Sequence, residues 1–303
     1  MPSPSIAILG PGGVGGFLAG ALARAGADVT VVAREQTAEL IARDGLVIDS
    51  VRLGELVARP AATARLEGDV DVLVVTTKAG GLDEALARVA GEPGLVVPLL
   101  NGLDHLPLLR ARWGSRVVAA TIRIEADRPA PGQIVQKSPA VRVDLASEDP
   151  ARGPALAAFA AALDAAEVPA HIGAREAQVM WSKLARLNTL ACMTSAYDEP
   201  LGPLRDDPER RAELIACIAE TAAAANADGA EIDPAATLAE LDAAPAGLGS
   251  SMRRDIAAGR TPELDAIAGA VLRAGARHGL PCPTVAALAQ RVAVRAGIAA
   301  PVV

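Results

Sequence analysis

Residues 6–16 of the chain read IAILGPGGVGG, a short apolar run that ends in a cluster of glycines. Gly10, Gly12 and Gly15 have the spacing GxGxxG, and an Ala- and Leu-rich segment from about 17 to 25 follows. Strand, tight turn and helix in this order predict a dinucleotide-binding element. Gly10 permits the turn, Gly12 lets the backbone approach a pyrophosphate, and Gly15 lets the helix pack closely on the strand.

The helix after this turn favours a bound anion. Its N-terminus offers free N–H groups and the positive end of the helix dipole to a phosphate. The residues expected to contact a cofactor are Gly10, Gly12, Gly13, Val14 and Gly15. A purely structural glycine turn is the alternative, because a glycine pattern can arise by chance in a chain rich in Ala and Gly.

The end of the second predicted strand, residues 28–32, indicates the type of cofactor. Chains that bind NAD carry Asp or Glu about 20 residues past the glycines, where it contacts the ribose 2′-hydroxyl. This chain has Ala33 and Arg34 there. A guanidinium pairs with a 2′-phosphate, which a carboxylate would repel, so Arg34 favours NADP(H) over NAD(H). Glu35 beside it weakens this preference, and a solvated loop arginine is the alternative.

Composition excludes several classes of function. The 303 residues suffice for two domains, and the net charge of −7 argues against a nucleic-acid partner. No apolar stretch approaches the roughly 20 residues of a membrane span, and the N-terminus lacks a signal-like segment. Cys192, Cys217 and Cys282 are far apart, as are the three histidines, so we expect no metal site and a reducing, cytoplasmic location.

Strand patterns alternate with helices in the first half of the chain. The predicted strands are 5–9, 28–32, 70–76, 95–99, 116–124 and 140–145. Continuous apolar runs among them are typical of strands buried on both faces of a sheet. Pro and Gly in 128–139 predict a hairpin connection, so that the later strands can be antiparallel. The fold class predicted is α/β, with an N-terminal Rossmann-type doubly wound sheet.

After about Val168 only helical patterns follow. They cover 175–197, 207–227, 234–241, 262–278 and 284–294. Asp207 and Asp233, each followed by Pro, are typical helix starts. We therefore expect an NADP-binding domain over residues 1–168 and a second, all-helical domain over residues 169–303. The second domain would bind substrate, and an apolar helix face there would suit a homodimer.

Lysine is rare in this chain, which has 26 Arg but only three Lys. Only an amine readily gives up a proton near neutral pH, so each lysine is a candidate for proton transfer. Lys78 and Asn101 both follow predicted strands, at the edge where open α/β sheets bind ligands. They are candidates to line the cofactor and substrate site. A solvated loop lysine and an ordinary Asn-Gly turn are the alternatives.

Lys183 lies in a helical segment, VMWSKLARLN, at residues 179–188. Helical spacing predicts that Leu187 and Asn188 share its side, which makes Asn188 a candidate substrate ligand. A partly desolvated lysine can act as a general acid or base. Alternatively, Lys183 is a surface lysine whose stem packs along apolar neighbours.

Residues 250–265 read SSMRRDIAAGRTPELD. The pattern predicts a helix, a turn and a helix start, in which Thr261 is an N-cap and Glu263 a first-turn carboxylate. From the residues alone, Glu263 is most simply a capping residue.

Together these motifs resemble the ketopantoate reductase (2-dehydropantoate 2-reductase) family over nearly the whole chain. The likeness rests on GxGxxG, Arg34 after the second strand, a Lys in a V-T-T-K-A segment, Asn-Gly, W-x-K-L, Ser-Ser-Met with its later Thr-x-Glu-Leu-Asp, and the GLPCPT ending. It implies a cytoplasmic oxidoreductase of pantothenate biosynthesis. Such an enzyme reduces ketopantoate to pantoate with NADPH, by hydride transfer to the C2 carbonyl in a cleft between two domains.

The resemblance also implies roles for individual residues. Lys183 would be the general acid, and Glu263 would hydrogen-bond the substrate and help to position Lys183. Ser251 would bind the substrate carboxylate. Lys78 and Asn101 would line the nicotinamide and substrate pocket, and Arg34 would contact the 2′-phosphate.

Three positions depart from the family pattern. Leu187 and Ala191 stand where the family usually has Asn, with Asn188 one place late, and Leu248 replaces a third Asn. Because an apolar group cannot replace a hydrogen bond to substrate, selectivity for polar substrates should change. Another 2-keto acid is therefore an alternative substrate. A β-hydroxyacid or opine-type dehydrogenase and a non-catalytic NADP-binding sensor are further alternatives.

Overall fold

The computed structural model describes residues 4–302. The chain divides into two compact units. The first consists of Met1–Leu100 and His105–Val179, and the second of Asn101–Asp104 and Met180–Val303. The four-residue loop Asn101–Asp104, which lies between two segments of the first unit in the sequence, thus belongs to the second unit.

The first unit combines strands and helices. Its strands are β1 Ile6–Leu9, β2 Val29–Val32, β3 Leu46–Ser50, β4 Gly54–Ala58, β5 Ala61–Thr63, β6 Val70–Val75, β7 Pro93–Pro98, β8 Ala119–Arg123, β9 Ala126–Ala130, β10 Gln133–Gln136, β11 Arg142–Ala146 and β12 Ala170–Ile172. Its helices are α1 Gly13–Arg24, α2 Glu35–Asp44, α3 Leu82–Leu86, α4 His105–Trp113 and α5 Gly153–Ala165. Helix α6, Glu176–Tyr197, contains the division between the units.

The largest sheet confirms the predicted doubly wound fold. Its strand order is β5-β2-β1-β6-β7, and every pairing within it is parallel. All four residues of β1 are buried, as is the apolar end of β6, because the sheet is covered on both faces. The carboxyl ends of β1, β2 and β6 are neighbours, which brings the glycine-rich turn beside the residues that follow β2 and β6.

Two smaller sheets complete the first unit, with strand orders β4-β3-β10-β9 and β12-β11-β8. The predicted hairpin is itself an antiparallel pair, β9 and β10, and its turn contains Gly132 at φ +76°. Strands β8 and β11 are antiparallel, as expected. The pattern predicts no strand after Val168, whereas β12 lies there and pairs with β11. Three residues are too few to show an alternation in the sequence.

The second unit confirms the predicted helical character. After α6 come α7 Leu201–Asp206, α8 Pro208–Ala227, α9 Pro234–Ala243, α10 Ser251–Ala257, α11 Ala270–Arg277 and α12 Pro283–Ala296. Its described residues include no strand. Asp207 and Asp233 cap α8 and α9 as predicted, since each side chain accepts hydrogen bonds from backbone N–H groups of the first turn. Directly before α11, Asp265–Gly269 forms a π-helical segment instead of the regular helix predicted there.

Across residues 4–302, no helix has both the length and the apolar character that crossing a bilayer requires. Over the same range, His, Cys, Asp and Glu side chains form no group of three or more that could hold a metal ion.

Candidate active site

The glycine-rich turn connects β1 to α1. Gly10 adopts φ +94°, a conformation that favours glycine, and its N–H donates to Val32 O. Gly12 is the N-cap of α1 and supplies no side-chain cap. No side chain at Gly12 therefore blocks the approach of an anion to the backbone N–H groups in the first turn of α1.

The glycines of this turn fall into two kinds. A Cβ on Gly15 would overlap Gly10 O and Thr76 Oγ1, and one on Gly13 would overlap the backbone of Ala126. A Cβ on Gly12 would meet nothing within 4 Å. Gly13 and Gly15 thus permit close packing within the protein, whereas Gly12 faces open space at the N-terminus of α1. This arrangement fits a pyrophosphate group, which needs that space.

Thr76, which sequence reasoning missed, holds the turn in place. Its hydroxyl donates to Gly10 O at 2.7 Å and to Leu9 O at 3.1 Å. The contact exists because β6 lies beside β1 in the sheet. The sequence contains a Thr at the end of an apolar strand, but its partner becomes evident only once the strand order is known.

Arg34 lies just after β2, at the N-cap position of α2. Its guanidinium pairs with the Glu84 carboxylate through two hydrogen bonds, of 3.2 Å from Nε and 2.9 Å from Nη2. Both side chains are more than half exposed. The hydrogen bond from Arg34 is the main cause that lowers the pKa of the Glu84 carboxyl from its ordinary value. Glu84 was not predicted, and an anion that binds Arg34 must compete with it.

Lys78 follows β6 and is exposed at the start of a short 3₁₀ turn, Ala79–Gly81. It belongs to the same unit as the glycine-rich turn and Arg34. These three features all follow carboxyl ends of strands in the parallel sheet, as the sequence predicts.

The second unit brings together three predicted residues that are distant in sequence. Lys183 Nζ donates to Asn101 Oδ1 at 2.8 Å, and Asn101 Nδ2 donates to Glu263 Oε2 at 2.9 Å. All three side chains are half-buried. An amide has one accepting and one donating end, so it can link an ammonium to a carboxylate in this way. Glu263, read from the residues alone as a capping group, instead accepts a hydrogen bond from Asn101.

Gly102 fixes the backbone next to Asn101. It has φ +86°, and a Cβ there would overlap Ala266 O. The Asn-Gly pair therefore lies flat against the segment that follows Glu263, in a conformation that only glycine adopts without strain.

Asn188 does not lie on the side of α6 that carries Lys183. Lys183 and Leu187 are half-buried, whereas Asn188 is fully buried. A separation of five residues is a rotation of about 140° around a helix, too much for one side. The Asn188 amide donates to Thr221 Oγ1 at 2.9 Å in the core of the second unit. A contact with substrate would require this side chain to give up its core hydrogen bonds.

The two serines at the start of α10 have different roles. Ser250 is buried, its Oγ accepts from Arg253 N at 3.1 Å, and it shares a hydrogen bond of 2.9 Å with Thr194. Ser250 is therefore the helix cap. Ser251, the predicted carboxylate ligand, is exposed as the first residue of the helix, and Leu248 before the pair is half-buried.

Comparison with known proteins covers both units. The family model described as Ketopantoate reductase PanE/ApbA matches residues 6–147, and the one described as Ketopantoate reductase PanE/ApbA C terminal matches residues 177–296. A 2-dehydropantoate 2-reductase of Caulobacter vibrioides is 32% identical over 289 residues, which are 92% of this chain and 94% of the relative. One of Mycobacterium tuberculosis is 30% identical over 292 residues, covering 92% and 93%.

Solved structures show the same fold. A 2-dehydropantoate 2-reductase from Geobacter metallireducens matches with a TM-score of 0.86 at 25% identity, over 95% of this chain and 98% of the other. A D-mandelate dehydrogenase solved with NADH and anilino(oxo)acetate has a TM-score of 0.86 at 21% identity, over 97% and 98%, and shares the fold. The chain therefore belongs to the ketopantoate reductase family and is an oxidoreductase that acts on a CH–OH group, similar to 2-dehydropantoate 2-reductase.

Proposed function

We propose that this protein reduces 2-dehydropantoate (ketopantoate) to pantoate with NADPH. The observation that carries the proposal is the hydrogen-bonded chain from Lys183 through Asn101 to Glu263. Reduction of a carbonyl needs a positioned proton donor, because negative charge develops on the oxygen as hydride reaches the carbon. Lys183 supplies that donor from a half-buried site.

The glycine-rich turn would hold the cofactor. Its residues are Gly10, Gly12, Gly13, Val14 and Gly15, and the open space at Gly12 supports this assignment. The hydride comes from the reduced nicotinamide when the cofactor is bound. Arg34 would pair with the 2′-phosphate after exchanging Glu84 for it, which favours NADPH over NADH.

Lys183 would protonate the substrate oxygen during reduction. Its Nζ donates to Asn101 Oδ1, so the amide keeps the amine at one place. An ammonium group carries three protons, so donation to the amide does not prevent donation to the substrate. Glu263 acts on the amine through Asn101, because its carboxylate fixes which end of the amide faces Lys183. A neutral lysine left after the reaction regains its proton from water.

Ser251 would bind the substrate carboxylate, and Lys78 would line the nicotinamide and substrate pocket. Ser251 has an exposed hydroxyl because Ser250 has taken over the cap of α10. Lys78 offers an exposed cation at the carboxyl end of the parallel sheet. Asn101 would contact the substrate through the part of its amide that does not bond to Glu263.

A second candidate substrate is a less polar 2-keto acid. Leu187 and Leu248 are half-buried, and Ala191 is buried, at the positions where the family resemblance calls for Asn. Apolar side chains at these positions give no hydrogen bond to a distal hydroxyl. They favour a substrate with a hydrocarbon group in its place.

The test is NADPH oxidation with ketopantoate, compared with NADH and with a panel that includes 4-methyl-2-oxopentanoate and benzoylformate. The expected kcat/KM with ketopantoate and NADPH is above about 10⁴ M⁻¹s⁻¹, within the usual range for enzymes. Turnover of only the apolar keto acids would establish the second candidate. NADPH binding without turnover of any of them would overturn both and identify a cofactor-binding sensor.

We also propose that the enzyme acts in the cytoplasm, in pantothenate biosynthesis, as a homodimer formed through the second unit. Ile215 on α8 and Val294 on α12 are 43% and 70% exposed, although both are large and apolar. Sedimentation equilibrium tests the dimer, which an Ile215→Glu and Val294→Glu double variant should dissociate. A monomeric parent protein would overturn it.

A further inference from the structure

We propose that Arg273 is a positioning residue for the chain of Lys183, Asn101 and Glu263. The inference rests on the proposed function, since it assumes that Lys183 is the proton donor. It adds a residue that contacts none of the reacting groups and acts through the loop that carries Asn101.

Arg273, on α11, joins three segments of the second unit with one guanidinium, whose Nη1 also donates to the backbone oxygen of Val302 at 3.2 Å. Nη2 donates to Asp104 Oδ2 at 2.6 Å, and Nη1 donates to Asp265 Oδ1 at 2.8 Å. Nη2 also donates to the backbone oxygen of Asp265 at 3.0 Å. Asp104 ends the loop 101–104, and Asp265 begins the π-helical segment. The side chain is 27% exposed, so solvent screens these bonds only in part.

The loop is thereby attached to one short segment at three successive points. Asn101 donates to Glu263, Gly102 lies against Ala266 O, and Asp104 pairs with Arg273 beside Asp265. Without the last attachment, the loop would still have the Asn101 amide bonds and the Gly102 contact, but its end at Asp104 would be held less firmly. The position of the amide that Lys183 donates to would then be less defined.

Gly269, the last residue of the π-helical segment, makes room for the guanidinium. A Cβ on Gly269 would lie 2.6 Å from Asp265 Oδ1 and 2.9 Å from Arg273 Nη1, so a side chain there would displace the ion pair. Insertions of π-helix often occur at functional sites, where they redirect side chains. Here Asp265 lies at the start of the π-helical segment and Arg273 on the helix that follows it, and the two side chains are hydrogen-bonded to each other.

The geometry calls for arginine. Two guanidinium nitrogens make separate bonds to Asp104 and Asp265 in a fixed planar fork, and an ammonium cannot reproduce both directions at once. An Arg273→Lys variant therefore keeps the charge but loosens the loop. Asp104→Asn weakens the same attachment from the loop side, at an exposed residue that folding depends on less.

The experiment is a double-mutant cycle on the full-length enzyme. Arg273→Lys and Asp104→Asn should each lower kcat about tenfold, the scale expected when a catalytic group is slightly misplaced. The dissociation constant of NADPH, measured by its fluorescence, should be unchanged. In a Lys183→Ala background the same substitutions should cost nothing further, because the donor that they misplace is gone. Arg277→Gln, on the same helix but paired with Asp228, is the control and should retain the parent kcat.

The outcomes separate this inference from the proposed function. If the parent enzyme turns over no 2-keto acid, the proposed function fails. If the parent enzyme is active and Lys183→Ala matches it, the role of Lys183 as proton donor fails, and this inference fails with it. If Lys183→Ala is inactive but Arg273→Lys and Asp104→Asn match Arg277→Gln, only the role of Arg273 is overturned. An equal loss in both backgrounds would likewise overturn it, since that is the behaviour of a residue that merely stabilises the fold.

Discussion

The glycine-rich turn and the Lys183–Asn101–Glu263 chain are built in opposite ways. The turn is made of backbone, and its glycines lie within six residues of one another along a strand-turn-helix unit. The hydrogen-bonded group of Lys183, Asn101 and Glu263 consists of side chains from positions that lie 82 and 162 residues apart in the sequence. A backbone site depends on which residues lack a side chain, whereas a side-chain site depends on which segments the fold brings together. Substitutions should therefore affect the two regions differently.

The largest expected effect comes from Lys183. Lys183→Ala should lower kcat by about 10² or more, the usual scale for loss of a general acid, and leave NADPH binding unchanged. Lys183→Arg should fail similarly, because a guanidinium keeps its proton at neutral pH. Steady-state kinetics with a fluorescence titration of NADPH checks both. Near-parental turnover in either variant would contradict the assignment.

The two kinds of glycine can be separated by matched substitutions. Gly12→Ala places a methyl in open space, so the loss of unfolding free energy should stay below about 1 kcal/mol, the usual cost of Ala at an N-cap, while NADPH binding weakens about tenfold or more. Gly15→Ala overlaps Gly10 O and Thr76 Oγ1, so it should cost about 1–3 kcal/mol of unfolding free energy. Urea unfolding and an NADPH titration measure the two effects. Equal loss of stability in both variants would show that Gly12 also serves packing.

Sequence reasoning succeeded where the signal is local. The strands β1, β2 and β6 are apolar apart from Thr30 and Asp71, and the helix caps Asp207 and Asp233 are each followed by Pro. It missed β3, β4, β5 and β12, which are short or partly exposed and have no strong pattern of their own.

For the candidate site, the sequence alone indicated individual residues but not which of them contact one another. Asn101, Lys183 and Glu263 were connected through a family resemblance, and their hydrogen bonds became evident only in the folded second unit. Glu84 and Arg273 were not predicted, since each acts by pairing with a residue far along the chain. Asn188 was expected on the same side of α6 as Lys183. A separation of four residues keeps two side chains on one side of a helix, whereas a separation of five, as between these two, does not.

A smaller effect is expected at Thr76, whose side chain holds the backbone of the glycine-rich turn in place. Thr76→Val keeps the shape of the residue but removes the hydroxyl that donates to Gly10 O and Leu9 O. The expected cost is about 1 kcal/mol of unfolding free energy, with a modest loss of NADPH affinity as the turn loosens. Thr76→Ser keeps the hydroxyl and should retain the affinity. If Thr76→Ser and Thr76→Val behave alike, the hydroxyl does not fix the turn.

The smallest expected effect is at Glu84, whose carboxylate pairs with Arg34 in the unit that contains the glycine-rich turn. A glutamate carboxylate is charged at neutral pH, so Glu84 competes with a 2′-phosphate for the same guanidinium, and the hydrogen bond from Arg34 lowers its pKa further. Glu84→Gln removes that competition and should strengthen NADPH binding about threefold, the scale of an exposed ion pair, and leave NADH binding unchanged. Glu67→Gln, which breaks the exposed pair with Arg65 in the same unit, is the control and should change neither. Equal tightening for both cofactors would mean that Glu84 acts on the pyrophosphate or through the general charge of the surface, and that Arg34 does not distinguish them.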